Sequence, residues 1–593
     1  MCFTQAIGFC SPPGCRPTPV LSIFRPEGPQ SESLPVYELQ ILKKRGYPME
    51  TKRCARGLPG AGAWVLIAAL MAVAAGAGVV RAEEVKALDP RGIWPAIERI
   101  PLSPRLSSIK NQRIYIVMSW PSNSGFNNVV KDLESLLKQR GPKEVTVKRR
   151  NVAYSEDDPQ LWAEMKEKCD AFLYVGAPSS STTSYAFKWS AKLEKMGLPG
   201  AVVNFNELNS VGDTTNAREG ALVRRSAFGY PAETMAKPAY DAALNLAVDN
   251  LTKPLTANEK ATGVMQPKFR PDVFATGDFD KIQKAFYEGG LTDGLPIVPP
   301  TAERVAAMLK GTSHQASEVV AETFMPEGLK VTVRQVAINA VMAGCLPEHM
   351  PVLLATIEAY QKHNLNSILR STNSFSFMQV VNGPIAKQIK MNSSTGVLSP
   401  GNRANASMGR ALRLFIINLG GGEPGVNLMA VIGQASSYSF MFAEFEENPW
   451  EPLSVSQGFK KGESTLTFFT GGWAHSGNYS FGYASETGLN EVAQDIASYQ
   501  INGGATIIVS PKYAEEFQRK GMSKAAVETY LQTHATRAAS KTRPAQGGQA
   551  EAKPVQAFRE GTVKVVVAGG DASSMMQAWS MYRPQTVSID KWR

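Results

Sequence analysis

Cysteine and histidine are scarce in this chain. It has six cysteines and five histidines in 593 residues. Cys2, Cys10, Cys15 and Cys54 fall in an N-terminal leader, so only Cys169 and Cys345 remain beyond it. Two thiols could close one disulfide in an oxidising compartment, and no local pattern brings them together. There is no CxxC pair and no HExxH, and His314, His349, His363, His475 and His534 are scattered. A dedicated zinc site is therefore not expected, and no other metal or cofactor is called for. Basic blocks interleaved with aromatics are also absent. The formal charge of +11 includes nine Lys/Arg and four Asp/Glu from residues 1–82, and without them the balance is +6. That argues against nucleic acid as a partner.

Apolar residues make up 43% and charged residues 19%, which supports a sizeable core and excludes global disorder. Ala61–Val80 is apolar and uncharged, with Lys52, Arg53 and Arg56 ahead of it and Arg81-Ala82-Glu83 behind. A basic flank, an apolar centre and a small-residue exit predict a signal peptide cleaved after Ala82, with Met49 as the better start. The alternative is a single membrane anchor, since twenty residues just span a bilayer. The expectation is a periplasmic or secreted protein that meets a membrane only through an uncleaved leader.

After a lead-in over 83–110, strand-type and helix-type runs alternate. The strands are Arg113–Met118, Val145–Arg149, Ala171–Val175 and Gly200–Asn204. The helices are Phe126–Arg140, Leu161–Lys168 and Ala186–Met196. This alternation predicts an α/β fold, a doubly wound parallel-sheet domain over 111–255. Ligands of such sheets sit beyond the carboxyl ends of the strands, which singles out Ser119–Gly125, Gly176–Ser184 and Asn204–Asn209. The middle loop contains Ser179, Ser180, Ser181, Thr182 and Thr183. Its hydroxyls could hold a carboxylate or phosphate with the amides of the following helix, or simply cap that helix.

A larger α+β region is expected over 277–593, with a flexible insertion at 538–556. Its helices are predicted at Phe279–Glu288, Ala302–Leu309, Val331–Ala343, Val352–Lys362 and Arg410–Asn418. Strands are predicted at Ser464–Phe469 and Thr506–Val509, and Val563–Ser574 reads as a strand, a glycine turn and a helix start. Asn382, Asn402, Arg403, Asn405, Arg410 and Arg413 fall close together. Converging on a pocket they would fix a small anionic or polar ligand, and the competing reading is turns and caps. Cys345, with Glu348 and His349 beside it, is a candidate nucleophile or a buried small residue. His475, in a glycine-rich loop next to Trp473, is the candidate acid/base. Glu444, Glu446 and Glu447 could form an acid/base pair or an exposed acidic turn. Asp293-Gly294 reads as the start of a tight turn.

Asp170–Arg225 resembles the bacterial UGSC domain family, named for its selenocysteine-Gly-Ser-Cys motif. The resemblance is carried by Asp170-Ala-Phe-Leu-Tyr-Val-Gly176, the hydroxyl loop, Leu193-Glu-Lys-Met-Gly-Leu-Pro199 and Arg224–Pro231. The second region resembles a large domain associated with such proteins. Its marks are Asp293-Gly-Leu-Pro-Ile-Val-Pro-Pro-Thr301, Asn339–Glu348, Asn382-Gly-Pro384, Gly409-Arg-Ala-Leu-Arg413 and Ala443–Pro452. The resemblance implies architecture more than reaction. The motif implies a redox pair, and this chain has Ser179-Ser-Ser-Thr-Thr183 at the matching stretch. A hydroxyl neither ionises near neutral pH nor forms a selenenyl sulfide. The function expected is then a metal-independent lyase or hydrolase acting on a small polar or carboxylated molecule. The alternatives are a non-catalytic periplasmic binding protein or an inactive partner of a redox-active paralogue. Assembly as a homo-oligomer is left open.

Overall fold

The computed structural model describes residues 84–118, 126–176, 179–267, 269–479, 485–499, 503–537 and 554–593. The leader, the Ser119–Gly125 loop, Ala177, Pro178 and most of the expected insertion lie outside the described residues.

The first region is built on a parallel sheet. Its elements run β1 (Arg113–Met118), α1 (Asn127–Gln139), β2 (Glu144–Arg149), α2 (Pro159–Lys168), β3 (Ala171–Val175), α3 (Ser180–Lys195), β4 (Gly200–Phe205), α4 (Asn209–Glu219), β5 (Arg224–Phe228) and α5 (Lys237–Asp249). The strands lie in the order β2-β1-β3-β4-β5, all parallel. The central strands are continuous apolar runs because both faces are covered. Ile114, Ile116 and Met118 pack on α1 and α5, while Tyr115 and Val117 pack on α2 and α3. β2 carries Glu144, Lys148 and Arg149, as suits an exposed edge. The order reverses between β1 and β3, so the topological switch point lies at the start of α3.

The second region holds a six-stranded mixed sheet. Its main elements are α6 (Val333–Ala343), α7 (Met350–Gln361), β6 (Ser376–Asn382), α8 (Arg403–Leu414), β7 (Met441–Ala443), β8 (Thr465–Tyr479), α9 (Glu486–Ala497), β9 (Ala505–Val509), β10 (Val563–Val567) and β11 (Met576–Ser588). The strand order is β7-β6-β8-β11-β9-β10. Helices α6, α7 and α8 bury one face of this sheet in the largest core, which takes in Val381, Leu466, Phe468 and Val587. The predicted helix start after Val567 is instead a turn leading into β11. β11 pairs with both β8 and β9, and its alternation of Met576, Ala578 and Ser580 as buried residues suits a central strand.

Two links join the regions. The lead-in crosses both, since Val85–Leu88 pairs with Val273–Gly277 and Ile97–Glu98 pairs with Val264–Met265. The segment 420–434 then runs from the second region to the first. Ser210 Oγ donates to the Gly425 carbonyl at 3.1 Å, and Met429 packs on the first sheet's core. Among the described residues no helix is long and apolar enough to cross a membrane.

Candidate functional site

Helix α8 begins seven residues earlier than the apolar pattern predicts. Asn402 caps it by accepting from Asn405 N at 2.9 Å, and the helix passes into a π-helical turn over Phe415–Leu419. Gly409 lets it lie close to the chain ahead of β7. A Cβ there would sit 2.2 Å from Ser439 Oγ and 3.1 Å from Phe440 N.

Two arginines lie one turn apart on α8 and have different fates. Arg410 holds Asp293 in a bidentate pair, Nε to Oδ2 at 2.8 Å and Nη2 to Oδ1 at 2.9 Å. It also donates to the carbonyls of Leu295 and Pro296. Arg413 makes no hydrogen bond and no ion pair with any described residue, yet it is largely buried. Burial holds its pKa below the ordinary arginine value, against the opposing pull of Asp293, and the guanidinium remains charged. Its charge is offset by the field of Asp293 alone, without the hydrogen bonds that a buried charge ordinarily has.

Arg413 lines a cavity of about 750 Å³. Strand β6 alternates faces, so Met378 and Val380 enter the small core behind the sheet while Phe377 and Gln379 line the cavity. Gln379 is 1% exposed. Its Oε1 accepts from Thr356 Oγ1 at 2.8 Å, and its Nε2 makes no hydrogen bond with any described residue. Phe375, Ile416 and Ile417 add apolar wall, and the segment containing Ile432 and Tyr438 forms the rim. Ile432 is 93% exposed and Tyr438 55%. The arrangement is one cationic donor and several neutral polar groups, with Asp293, in a space that Phe375, Phe377 and aliphatic side chains wall in part, the mixed composition of small-molecule sites.

The other expected site residues lie elsewhere and are tied to neighbours. Cys345 is buried, and burial pushes its thiol up to about 12, so it carries no thiolate at neutral pH. His349 is buried and held down to about 4 by desolvation, with Nδ1 accepting from Leu346 N. His475 is exposed and stacked on Trp579, and it does not line the cavity. Arg403 is exposed and donates to the Gly344 carbonyl. Asn405 spans Asn392 and Val397 and so shapes the loop before α8. Asn382 donates to Glu444 at 2.6 Å and to Glu446 at 2.9 Å, which fastens the acidic segment to the end of β6. Glu447 pairs with Lys387. Cys169, also free and buried, sits in a different core from Cys345.

The hydroxyl stretch lies mostly inside α3 rather than in a loop. Ser179 is the cap residue but its side chain makes no capping bond. Ser179 Oγ meets Ser181 Oγ at 3.0 Å, and Thr182 Oγ1 donates to the Ser179 carbonyl. Ser180 Oγ and Thr183 Oγ1 are buried without a partner. None of these five residues lines the Arg413 cavity.

Sequence reasoning placed Arg413 in the right cluster but did not separate it from Arg410. It missed Gln379, whose polar side chain interrupts the apolar run Phe377–Val381, and that interruption was the available signal.

Fold and site together define an α/β protein with two main sheets and a cavity on the face of the second that Phe377 and Gln379 line. Residues 86–256 match the model of the UGSC family, so the first region carries the UGSC resemblance. That match ends before the second sheet and does not include the cavity. No curated protein and no solved structure matched the chain.

Proposed function

We propose that this chain is an exported, non-catalytic binding protein that captures a small organic carboxylate on Arg413. The observation that carries the reading is a largely buried guanidinium, without a hydrogen bond or ion pair to any described residue, in the wall of a ligand-sized cavity. Carboxylate is the natural complement of a guanidinium, because the planar fork meets two oxygens at once. Capture is favoured over lyase or hydrolase chemistry because the candidate catalytic groups do not converge. Cys345 is a buried neutral thiol and His475 stacks on Trp579 outside the cavity. The basic, apolar and small-residue order of the leader supports export.

The test is calorimetric titration of the purified protein with phenylacetate. Arg413→Ala is expected to weaken binding at least 100-fold, and Arg413→Lys to recover part of it without the bidentate geometry. Unchanged affinity in Arg413→Ala would remove the proposal. A stability readout runs the opposite way. Arg413→Met replaces a largely buried charge that has no hydrogen-bond partner among the described residues with apolar volume, so the unliganded variant is expected to be at least as stable as the parent while losing binding. An arginine with a structural role would destabilise the fold on the same change.

A further inference from the structure

Resting on that reading, the geometry points to a narrower ligand class: a monocarboxylate with an aromatic or branched apolar body and one neutral hydrogen-bond acceptor, with dianions rejected. Four observations carry this. Arg413 is the only basic side chain lining the cavity among the described residues. The nearby Arg410 is already neutralised by Asp293, whose carboxyl side chain is 1% exposed in that pair. Asp293 itself lines the same cavity, so a second anionic group would meet a carboxylate instead of a cation. Phe375, Phe377, Ile368 and Leu428 supply apolar wall, and the polar side chains beside them, such as Thr292, Asn373, Ser436 and Ser437, are neutral. A second negative charge placed there would lose water and meet no second cation.

The neutral end of the recognition is Gln379. Thr356 meets its Oε1, which leaves Nε2 as a donor in the cavity wall without an acceptor among the described residues. A carbonyl on the ligand body would accept from it. A volume of about 750 Å³ is more than a two- or three-carbon acid fills, which again favours a carboxylate with a body.

The test is a titration series on the full chain with phenylacetate, hippurate, succinate and phenyl phosphate at pH 8. Hippurate, an aromatic monocarboxylate with an internal amide carbonyl, is expected to bind most tightly. Succinate and phenyl phosphate are expected to bind at least 100-fold more weakly than phenylacetate. Gln379→Met, which keeps the side-chain volume, should weaken hippurate about 10-fold and leave phenylacetate within threefold. A melting curve confirms that the variant is folded. If that variant does not fold, Gln379→Glu replaces it, with loss of both monocarboxylates expected. Succinate or phenyl phosphate binding as tightly as phenylacetate, with dependence on Arg413 retained, would overturn the selectivity and leave capture standing. Equal loss of hippurate and phenylacetate in Gln379→Met would remove the acceptor assignment. Binding that ignores Arg413→Ala would overturn capture itself, and the ligand class with it.

Discussion

At the residue scale, burial decides what each polar side chain can do. Cys345 and Cys169 both have thiols pushed up to about 12 by desolvation. Iodoacetamide is therefore expected to leave both unmodified in the native protein and to label both after denaturation, as read by peptide mass spectrometry. Rapid native labelling of Cys345 would contradict its burial. His349 and His363 are both held down to about 4 from an ordinary 6.5. The unfolded chain then binds more protons than the folded one between those values. Stability contributed by the two neutral imidazoles is present above about 6.5 and is lost as pH falls toward about 4. Each contributes a slope of about 1.4 kcal/mol per pH unit inside that window, measurable by denaturant unfolding. Replacing both with Gln should flatten the slope.

At the scale of elements, the distinctive stretches of the second region explain one another. Asp293 pairs with Arg410, Asn382 with Glu444 and Glu446, and Asn418 donates to Asn339 at 2.8 Å. Each is a joint between elements distant in the chain. Arg410→Ala leaves the Asp293 carboxylate buried and unpaired, so a loss of about 3–5 kcal/mol is expected by denaturant unfolding. The double variant Arg410→Met, Asp293→Leu should recover most of that loss, because neither charge is then stranded.

The same joints show what the sequence could and could not disclose. Arg113–Met118 and Ala171–Val175 were legible to the residue, because buried parallel strands are continuous apolar runs. Helices Phe279–Glu288 and Ala302–Leu309 were legible from their period, and the structure adds Asp278 and Thr301 as their caps. The start of α8 was not, since its first turns are polar and are held by Asn402 and Asn405. The separate roles of Arg410 and Arg413 were hidden for a simpler reason. Asp293, which claims one of them, is 117 residues away. The helix start expected at the end of Val563–Ser574 is instead the approach to β11, whose strand character comes from pairing with β8 and β9.

At the scale of the whole molecule, the cavity depends on how the regions are joined. Arg370 is fully buried and pairs with Glu327, and burial pulls its guanidinium down to about 10. Asn427 donates to Glu327 Oε1, while Arg370 and Arg218 reach Thr214 and Asn366 at the junction. This network pins the 420–434 segment, which also forms part of the cavity wall and carries Met429 into the first region's core. Glu327→Ala strands Arg370, so a loss of about 3–5 kcal/mol is expected. Faster amide exchange over 421–434 and weaker phenylacetate binding should accompany it, although Glu327 does not line the cavity. Unchanged exchange in that segment would show that the network does not hold it.

The most direct test of the central claim is a crystal structure of the protein soaked with 4-bromophenylacetate, the bromine located by anomalous scattering. The account predicts the carboxylate in a bidentate pair with the Arg413 guanidinium and the bromophenyl ring among Phe375 and Phe377. A ligand bound elsewhere, or a cavity holding the ring with its carboxylate turned away from Arg413, would contradict it.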